Sequence, residues 1–143
     1  MKEDLKINGR ASRLSSLKEV TLDYYPDDRG ELIVVEQNIL PFKIQRVFSV
    51  KGVKDLKRAE HAHKLCTQFL QCIYGAIEVI CDDGYEKKKI ELTKPNVGLN
   101  VPPGIWLEQN YLKDNTIINV FCDLPYEKED YINNYEDFKL FKS

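Results

Sequence analysis

From Leu17 onward, short runs of alternating or continuous apolar residues are separated by turn residues. Runs rich in β-branched and aromatic residues fall at 18–23, 31–37, 43–50, 67–73, 76–81, 88–92, 98–101 and 116–122. Between them stand Asp27-Asp28-Arg29-Gly30, Tyr74-Gly75, Asp82-Asp83-Gly84 and Lys94-Pro95-Asn96. Asp83-Gly84 between two alternating runs is a strong hairpin signal. Many short strands with regular turns predict a barrel or sandwich. Only the tail carries a helical period: across 127–141, Tyr131, Tyr135, Phe138 and Phe141 recur at steps of three and four. That stripe is expected to pack one helix onto the barrel. No repeat or low-complexity linker interrupts the pattern, so residues 1–143 read as one domain, with the polar stretch 1–12 loose.

Composition narrows the function classes. The chain has 143 residues, a net charge of −2 and 31% charged residues. It lacks a polybasic footprint, so no nucleic-acid partner is expected. The start, MKEDLKINGR, lacks the apolar centre of a signal peptide. No apolar run approaches the roughly 20 residues that span a bilayer, so no membrane partner is expected. Cys66, Cys72, Cys81 and Cys122 form no Cys-x-x-Cys pair and lie on apolar, strand-like segments. Free buried thiols and a cytoplasmic location are the corresponding expectations.

The chemistry concentrates at His61-Ala62-His63, which contains both histidines of the chain. In a strand, residues i and i+2 share a face, so both imidazoles project into one pocket. Such a pair can hold a metal or move a proton near neutral pH. The surrounding spacing bears on the choice. His61-x-His63 is followed by four residues and Gln68, then by six and Gly75. Downstream come Gly98, Pro102-Pro103-Gly104, Ile105-Trp106 and Leu107. This order and register resemble the two motifs of the cupins, which implies an all-β jelly-roll barrel with a short C-terminal helix. A metal-binding cupin uses both histidines, a Glu at the position of Gln68 and a His at that of Leu107. An amide and a leucine leave two imidazoles, fewer than the usual three or four ligands. The expectation is no metal and no cofactor, with the imidazoles free for acid/base chemistry.

A closer resemblance rests on Arg58-x-x-His61-Ala62-His63-Lys64, Asp28-Arg29-Gly30, Pro41-Phe42-x-Ile44-x-Arg46-Val47 and Pro102-Pro103-x-x-Trp106. With Tyr126-x-x-x-Asp130-Tyr131-Ile132-x-x-Tyr135-x-x-Phe138 at the C-terminal helix, these blocks resemble the nucleotide-sugar 3,4-ketoisomerases, which share a fold with the metal-free 3,5-epimerases. The resemblance implies a dTDP-linked 4-keto-6-deoxy sugar as substrate, its ketone moved to carbon 3 through an enediolate for 3-amino sugar synthesis. It also implies a homodimer with exchanged N-terminal strands. Carried onto this chain, His63 is the expected base and His61 holds the substrate or tunes it. Arg29, Arg46 and Arg58 serve the developing oxyanion or the diphosphate. Gln68 hydrogen-bonds in the pocket, while Tyr24, Tyr25, Trp106 and Tyr111 are candidates for stacking. Lys64 points away by strand alternation. Leu107 stands where relatives carry a polar residue, often His, so the configuration at carbon 4, gluco or galacto, stays open. The rival readings are a 3,5-epimerase and a non-catalytic sugar-binding cupin.

Overall fold

The computed structural model describes residues 8–143. Its elements are β1 (Lys18–Thr21), β2 (Asp23–Asp27), β3 (Gly30–Val34), β4 (Arg46–Lys51), β5 (Lys57–His63), β6 (Gln68–Tyr74), β7 (Ile77–Asp82), β8 (Lys87–Leu92), β9 (Val97–Val101), β10 (Trp106–Tyr111), β11 (Ile117–Cys122), β12 (Tyr131–Ile132) and α1 (Tyr135–Lys142). One sheet runs β1-β9-β6-β11-β4, the other β12-β5-β10-β7-β8, and β2-β3 forms a separate hairpin. Every pairing is antiparallel.

Period-two alternation gives each sheet its inner face. Leu70, Cys72, Val79, Cys81, Leu99, Val101, Leu107, Tyr111, Ile118, Val120 and Cys122 belong to one buried cluster between the sheets. Their neighbours turn outward and need separate cover. Phe69 is buried with Leu22, Leu40 and Phe42 from the chain that crosses the first sheet. Ala62 and Trp106 are buried beneath Ile132 and Phe138. The fully buried Phe138 ring contributes about 2–3 kcal/mol of burial energy. All four cysteines are buried with free thiols. Among the described residues, no helix is long and apolar enough to cross a membrane.

The predicted runs match most strands, with three differences. The run at 18–23 divides into β1 and the start of β2. β5 and β10 lie in segments outside the predicted runs, although the histidine pair on β5 was read as strand. The helix predicted over 127–141 begins only at Tyr135, where the Asn134 side chain accepts from the Asp137 N–H and caps it. The first turn of that prediction is instead a short 3-10 turn, Lys128–Asp130, followed by β12. Backbone pairing with β5 (Tyr131↔His63, Ile132↔Ala62) draws this segment out of the helical pattern.

Of the stretch expected to be loose, residues 1–7 lie outside the described residues. Residues 8–12 are held in place: the buried Lys142 ammonium donates to the carbonyls of Gly9 and Ser12. Gly9 in turn lies against Gly104, which has φ +81° and donates its N–H to the His63 carbonyl at 2.7 Å. A Cβ at Gly104 would stand 1.8 Å from the Gly9 carbonyl oxygen. Gly104→Ala is therefore expected to destabilise the fold by about 2 kcal/mol or more through left-handed strain plus the clash. Urea melts would check this, and an unchanged midpoint would contradict the packing described.

Candidate active site

β5 sets the histidines with an irregularity. Its register with β10 shifts so that Leu107 faces His61 while Glu108 faces Ala59, leaving Glu60 as an extra, bulged residue. Ala59 (φ +69°) and Glu60 (φ +56°) both occupy the left-handed region, which costs non-glycine residues energy. The bulge also places Arg58 opposite Gln109, on the same sheet face as His61 opposite Leu107. Beyond the bulge, His61 and His63 share a face, their ring centroids 5.2 Å apart and nearly perpendicular. Ala62, between them, is on the other side.

His63 is the better anchored. Its Nδ1 lies 2.7 Å from Asp130 Oδ2, and both side chains are buried. The carboxylate accepts, so Nδ1 carries the hydrogen and Nε2 keeps its lone pair. Burial alone would raise the Asp130 carboxyl, but hydrogen bonds from His63, Leu65 N–H and Cys66 N–H outweigh it and hold the group below its usual range. His63 Nε2 is buried without a partner.

His61 differs. Its Nδ1 donates to the Ala59 carbonyl at 3.0 Å. Burial, and then the neighbouring His63, push its pKa down to about 4, so the ring is neutral at ordinary pH. Tyr131 stacks on both rings, at 4.4 Å from His63 and 5.1 Å from His61. Burial raises its hydroxyl above the usual range and keeps the proton on.

The facing sheet contributes a row in register: Arg46 opposite Cys122, Cys122 opposite Gln68, Gln68 opposite Val101. Arg46 Nη2 reaches Cys122 Sγ and Tyr131 Oη, each at 3.4 Å. Gln68 Nε2 reaches the same sulfur at 3.6 Å. Cys66 Sγ donates to the Thr67 carbonyl at 3.4 Å. Beside Cys122 and buried, its thiol is raised, while Cys122, with Cys66, Arg46 and Gln68 around it, is lowered. Arg46 Nε is buried without a partner. Of the three buried side-chain polar atoms without partners among the described residues, two therefore belong to this one site, as expected where a ligand supplies the missing bonds.

The structure thus brings His61, His63, Arg46 and Gln68 together, with Leu107 as the apolar cross-strand neighbour of His61. Arg58 shares their sheet face but is exposed. Trp106 corrects the sequence reading: it is buried with Ala62, Ile132 and Phe138, 5.7 Å from the Phe138 ring, on the opposite face of the sheet. Tyr111, buried in the core, donates to Gln109. Tyr24 and Arg29 do not join the histidines within this chain. They lie on the β2–β3 hairpin, where Tyr24 donates to Glu31 at 2.6 Å and Arg29, 90% exposed, pairs with Asp27. Sequence reasoning missed Asp130 and Tyr131 as site residues because both were assigned to the helical stripe.

The cupin frame's metal position does not fit these residues. Leu107 offers no donor, and Gln68 is engaged with a sulfur. No step is routed through a metal.

Residues 12–143 match the FdtA family model, described as WxcM-like, C-terminal. The chain belongs to the FdtA family. Its relative TDP-4-oxo-6-deoxy-alpha-D-glucose-3,4-oxoisomerase of Aneurinibacillus thermoaerophilus is 38% identical over 117 residues, covering 80% of this chain and 84% of the relative. The sugar 3,4-ketoisomerase QdtA of Thermoanaerobacterium thermosaccharolyticum, solved with TDP, superposes with a TM-score of 0.84 at 32% identity, over 89% of this FdtA-family chain and 94% of that one. The rmlC epimerase of Mycobacterium tuberculosis shares the fold alone: TM-score 0.72 and 16% identity, over 85% and 70% of the two chains. The jelly-roll architecture expected from the cupin motifs is thus the fold of this FdtA-family chain.

The burial of neutral His61 has a consequence for stability. In the unfolded chain it titrates near 6.5. Between pH 6.5 and 4 the unfolded state therefore binds the additional proton, and stability falls as pH drops through that window, by up to about 3 kcal/mol. Denaturant melts at pH 7, 5.5 and 4 would measure the slope. His61→Gln should flatten it, and an equal slope in the variant would rule out His61 as its source.

Proposed function

We propose that the protein is a metal-independent isomerase that converts dTDP-4-keto-6-deoxyglucose to a dTDP-3-keto-6-deoxyhexose. The reading is supported by the ketoisomerase relatives and by one geometric observation: Asp130 fixes the His63 tautomer and leaves a buried, unpaired Nε2. A base needs that lone pair. A neutral imidazole with a pKa near 4, as in His61, is too weak a base for the same task.

In this mechanism His63 Nε2 removes the proton from carbon 3 of the sugar. Electrons move to the carbon 4 carbonyl, giving an enediolate, and Asp130 compensates the charge that the imidazole gains. Arg46 and the protonated Tyr131 hydroxyl stand together as donors for the developing oxyanion. Return of a proton from His63 to carbon 4, with transfer of the carbon 3 hydroxyl proton to the carbon 4 oxygen, leaves a ketone at carbon 3 and a hydroxyl at carbon 4. His61, neutral, positions the sugar through its own Nε2. Gln68 holds the sulfur behind Arg46, and Arg58 extends the site towards the diphosphate. Leu107 presents no hydrogen bond to the sugar beside His61.

Tyr24 and Arg29 enter this reading through a homodimer. The hairpin that carries them is exposed along β2 and over the first three residues of β3, and Tyr25, Leu32 and Val47 show apolar surface to water. Exchange of N-terminal segments would cover that surface and deliver Arg29 and Tyr24 to the partner's sugar site. The product would serve cytoplasmic synthesis of 3-amino-3,6-dideoxy sugars for surface polysaccharide.

His63→Asn is expected to abolish measurable isomerisation while retaining dTDP binding. Asp130→Asn should lower turnover by about 10²–10⁴-fold. Incubation with the 4-keto sugar in deuterated water, followed by NMR, checks the reaction. A 3-keto product is expected, with label at carbon 4 in the fraction of turnovers in which the proton held by His63 exchanges with solvent before its return. Label at carbon 5 would indicate an epimerase, and binding without turnover a sugar-binding module.

A further inference from the structure

Three potential metal ligands converge at His63. One ring nitrogen of His63, the Cys66 sulfur and a carboxylate oxygen of Asp130 all lie within 4.8 Å of one another, and all three residues are buried. They come from different parts of the fold. His63 ends β5, Cys66 sits in the loop before β6, and Asp130 sits in the short turn before β12. The backbone fixes their positions, because the N–H groups of Leu65 and Cys66 both bond the Asp130 carboxylate. This set shares His63 with the metal position of the cupin frame, which would add His61, Gln68 and Leu107 and has no place for Cys66.

A nitrogen, a thiol and a carboxylate suit a borderline-soft divalent ion such as Zn²⁺. Bonds of about 2.0–2.3 Å in tetrahedral geometry place ligand atoms roughly 3.3–3.8 Å apart. The widest spacing allowed here would close by about 1 Å, within the range of side-chain rotation. There is also a route in. A cleft of about 700 Å³ reaches Asp130 from outside the barrel, lined by Leu65, Leu124, Glu127 and Glu129 as well as Arg10 and Lys64. An ion entering there meets Asp130 without crossing the sugar site, and the cleft can supply a water as fourth ligand.

We infer that His63, Cys66 and Asp130 form an inhibitory site for Zn²⁺ or a similar soft divalent cation. The bound ion takes up the histidine needed for proton transfer. At Nδ1 it displaces the hydrogen shared with Asp130, which moves to Nε2 and fills that lone pair; at Nε2 it occupies the lone pair itself. Either way the imidazole stops accepting a proton, and binding releases the Cys66 thiol proton to solvent. No electron transfer is involved. Metal binding stands on the ligand geometry alone, whereas its inhibitory effect rests on the role proposed for His63.

The test uses the full chain under a phosphine reductant. Co²⁺ added to wild type should give a thiolate-to-cobalt charge-transfer band that Zn²⁺ abolishes, and Cys66→Ala should lack it. In assays of sugar isomerisation, micromolar Zn²⁺ should inhibit wild type and a chelator should restore it. Measured against its own zinc-free rate, Cys66→Ala should show a half-inhibitory Zn²⁺ concentration at least tenfold higher than wild type. Cys66→Ser provides the same comparison should the alanine variant fold poorly. Absence of the thiolate band in wild type, or equal zinc sensitivity in a folded Cys66 variant, would overturn the inference. A thiolate band in a protein that fails to turn over the sugar would support the metal site and count only against the isomerase reading.

Discussion

Removing a carboxylate from water costs several kcal/mol unless hydrogen bonds replace its hydration. Asp130 is buried, and its replacements are specific: the His63 ring, the Leu65 N–H at 2.6 Å and the Cys66 N–H. These bonds require the loop after β5 to wrap the carboxylate and require the segment before α1 to lie alongside β5. Two strand pairings follow from that requirement, Tyr131 with His63 and Ile132 with Ala62. The placement of Tyr131 over both imidazoles follows as well. The same carboxylate that closes the second sheet therefore aims the ring on which the proposed chemistry rests.

The opposite wall is arranged by register rather than by a charge. Arg46, Cys122 and Gln68 occupy one row across three strands of the first sheet. Cys122 sits between the Arg46 and Gln68 donors with the Cys66 sulfur beside it, so its sulfur is the electron-rich member of the pair. Arg46 is thereby held with one edge on sulfur and tyrosine and its Nε unpaired. The site has a fixed cation on one wall and an acceptor nitrogen on the other. That is the polarity required to remove a proton while charge grows on an oxygen.

The shared face of the two histidines was legible in the sequence because a two-residue spacing on a strand leaves no other arrangement. The inadequacy of Gln68 and Leu107 as metal ligands was legible for the same reason: it depends on residue type alone. Trp106 was misread, although alternation contained the answer. Adjacent strand residues face opposite ways, and Leu107 lies opposite His61, so Trp106 had to turn outward beneath α1. Asp130 and Tyr131 were hidden by a coincidence of period. The aromatic positions 131, 135 and 138 fit one helix, yet the first belongs to a strand whose pairing depends on contacts 67 residues earlier in the chain. The inward sharing of Arg58 with His61 was equally invisible, since it depends on a bulge that no local pattern announces.

That bulge makes the site sensitive to chain length in a way that differs from its sensitivity to composition. Glu60 is exposed and has no cross-strand partner, so its side chain can vary with little effect on packing. Its presence as a residue is another matter. With Glu60 in place, the bulge is what keeps Arg58 on the face of His61: regular pairing of all four residues would set Ala59 opposite Gln109 and turn Arg58 to the other side, whereas loss of Glu60 together with the bulge would leave both pairings as they are. The residue count between Arg58 and His61 and the bulge that absorbs the odd residue are therefore one feature: either can be lost only together with the other if both side chains are to keep one face.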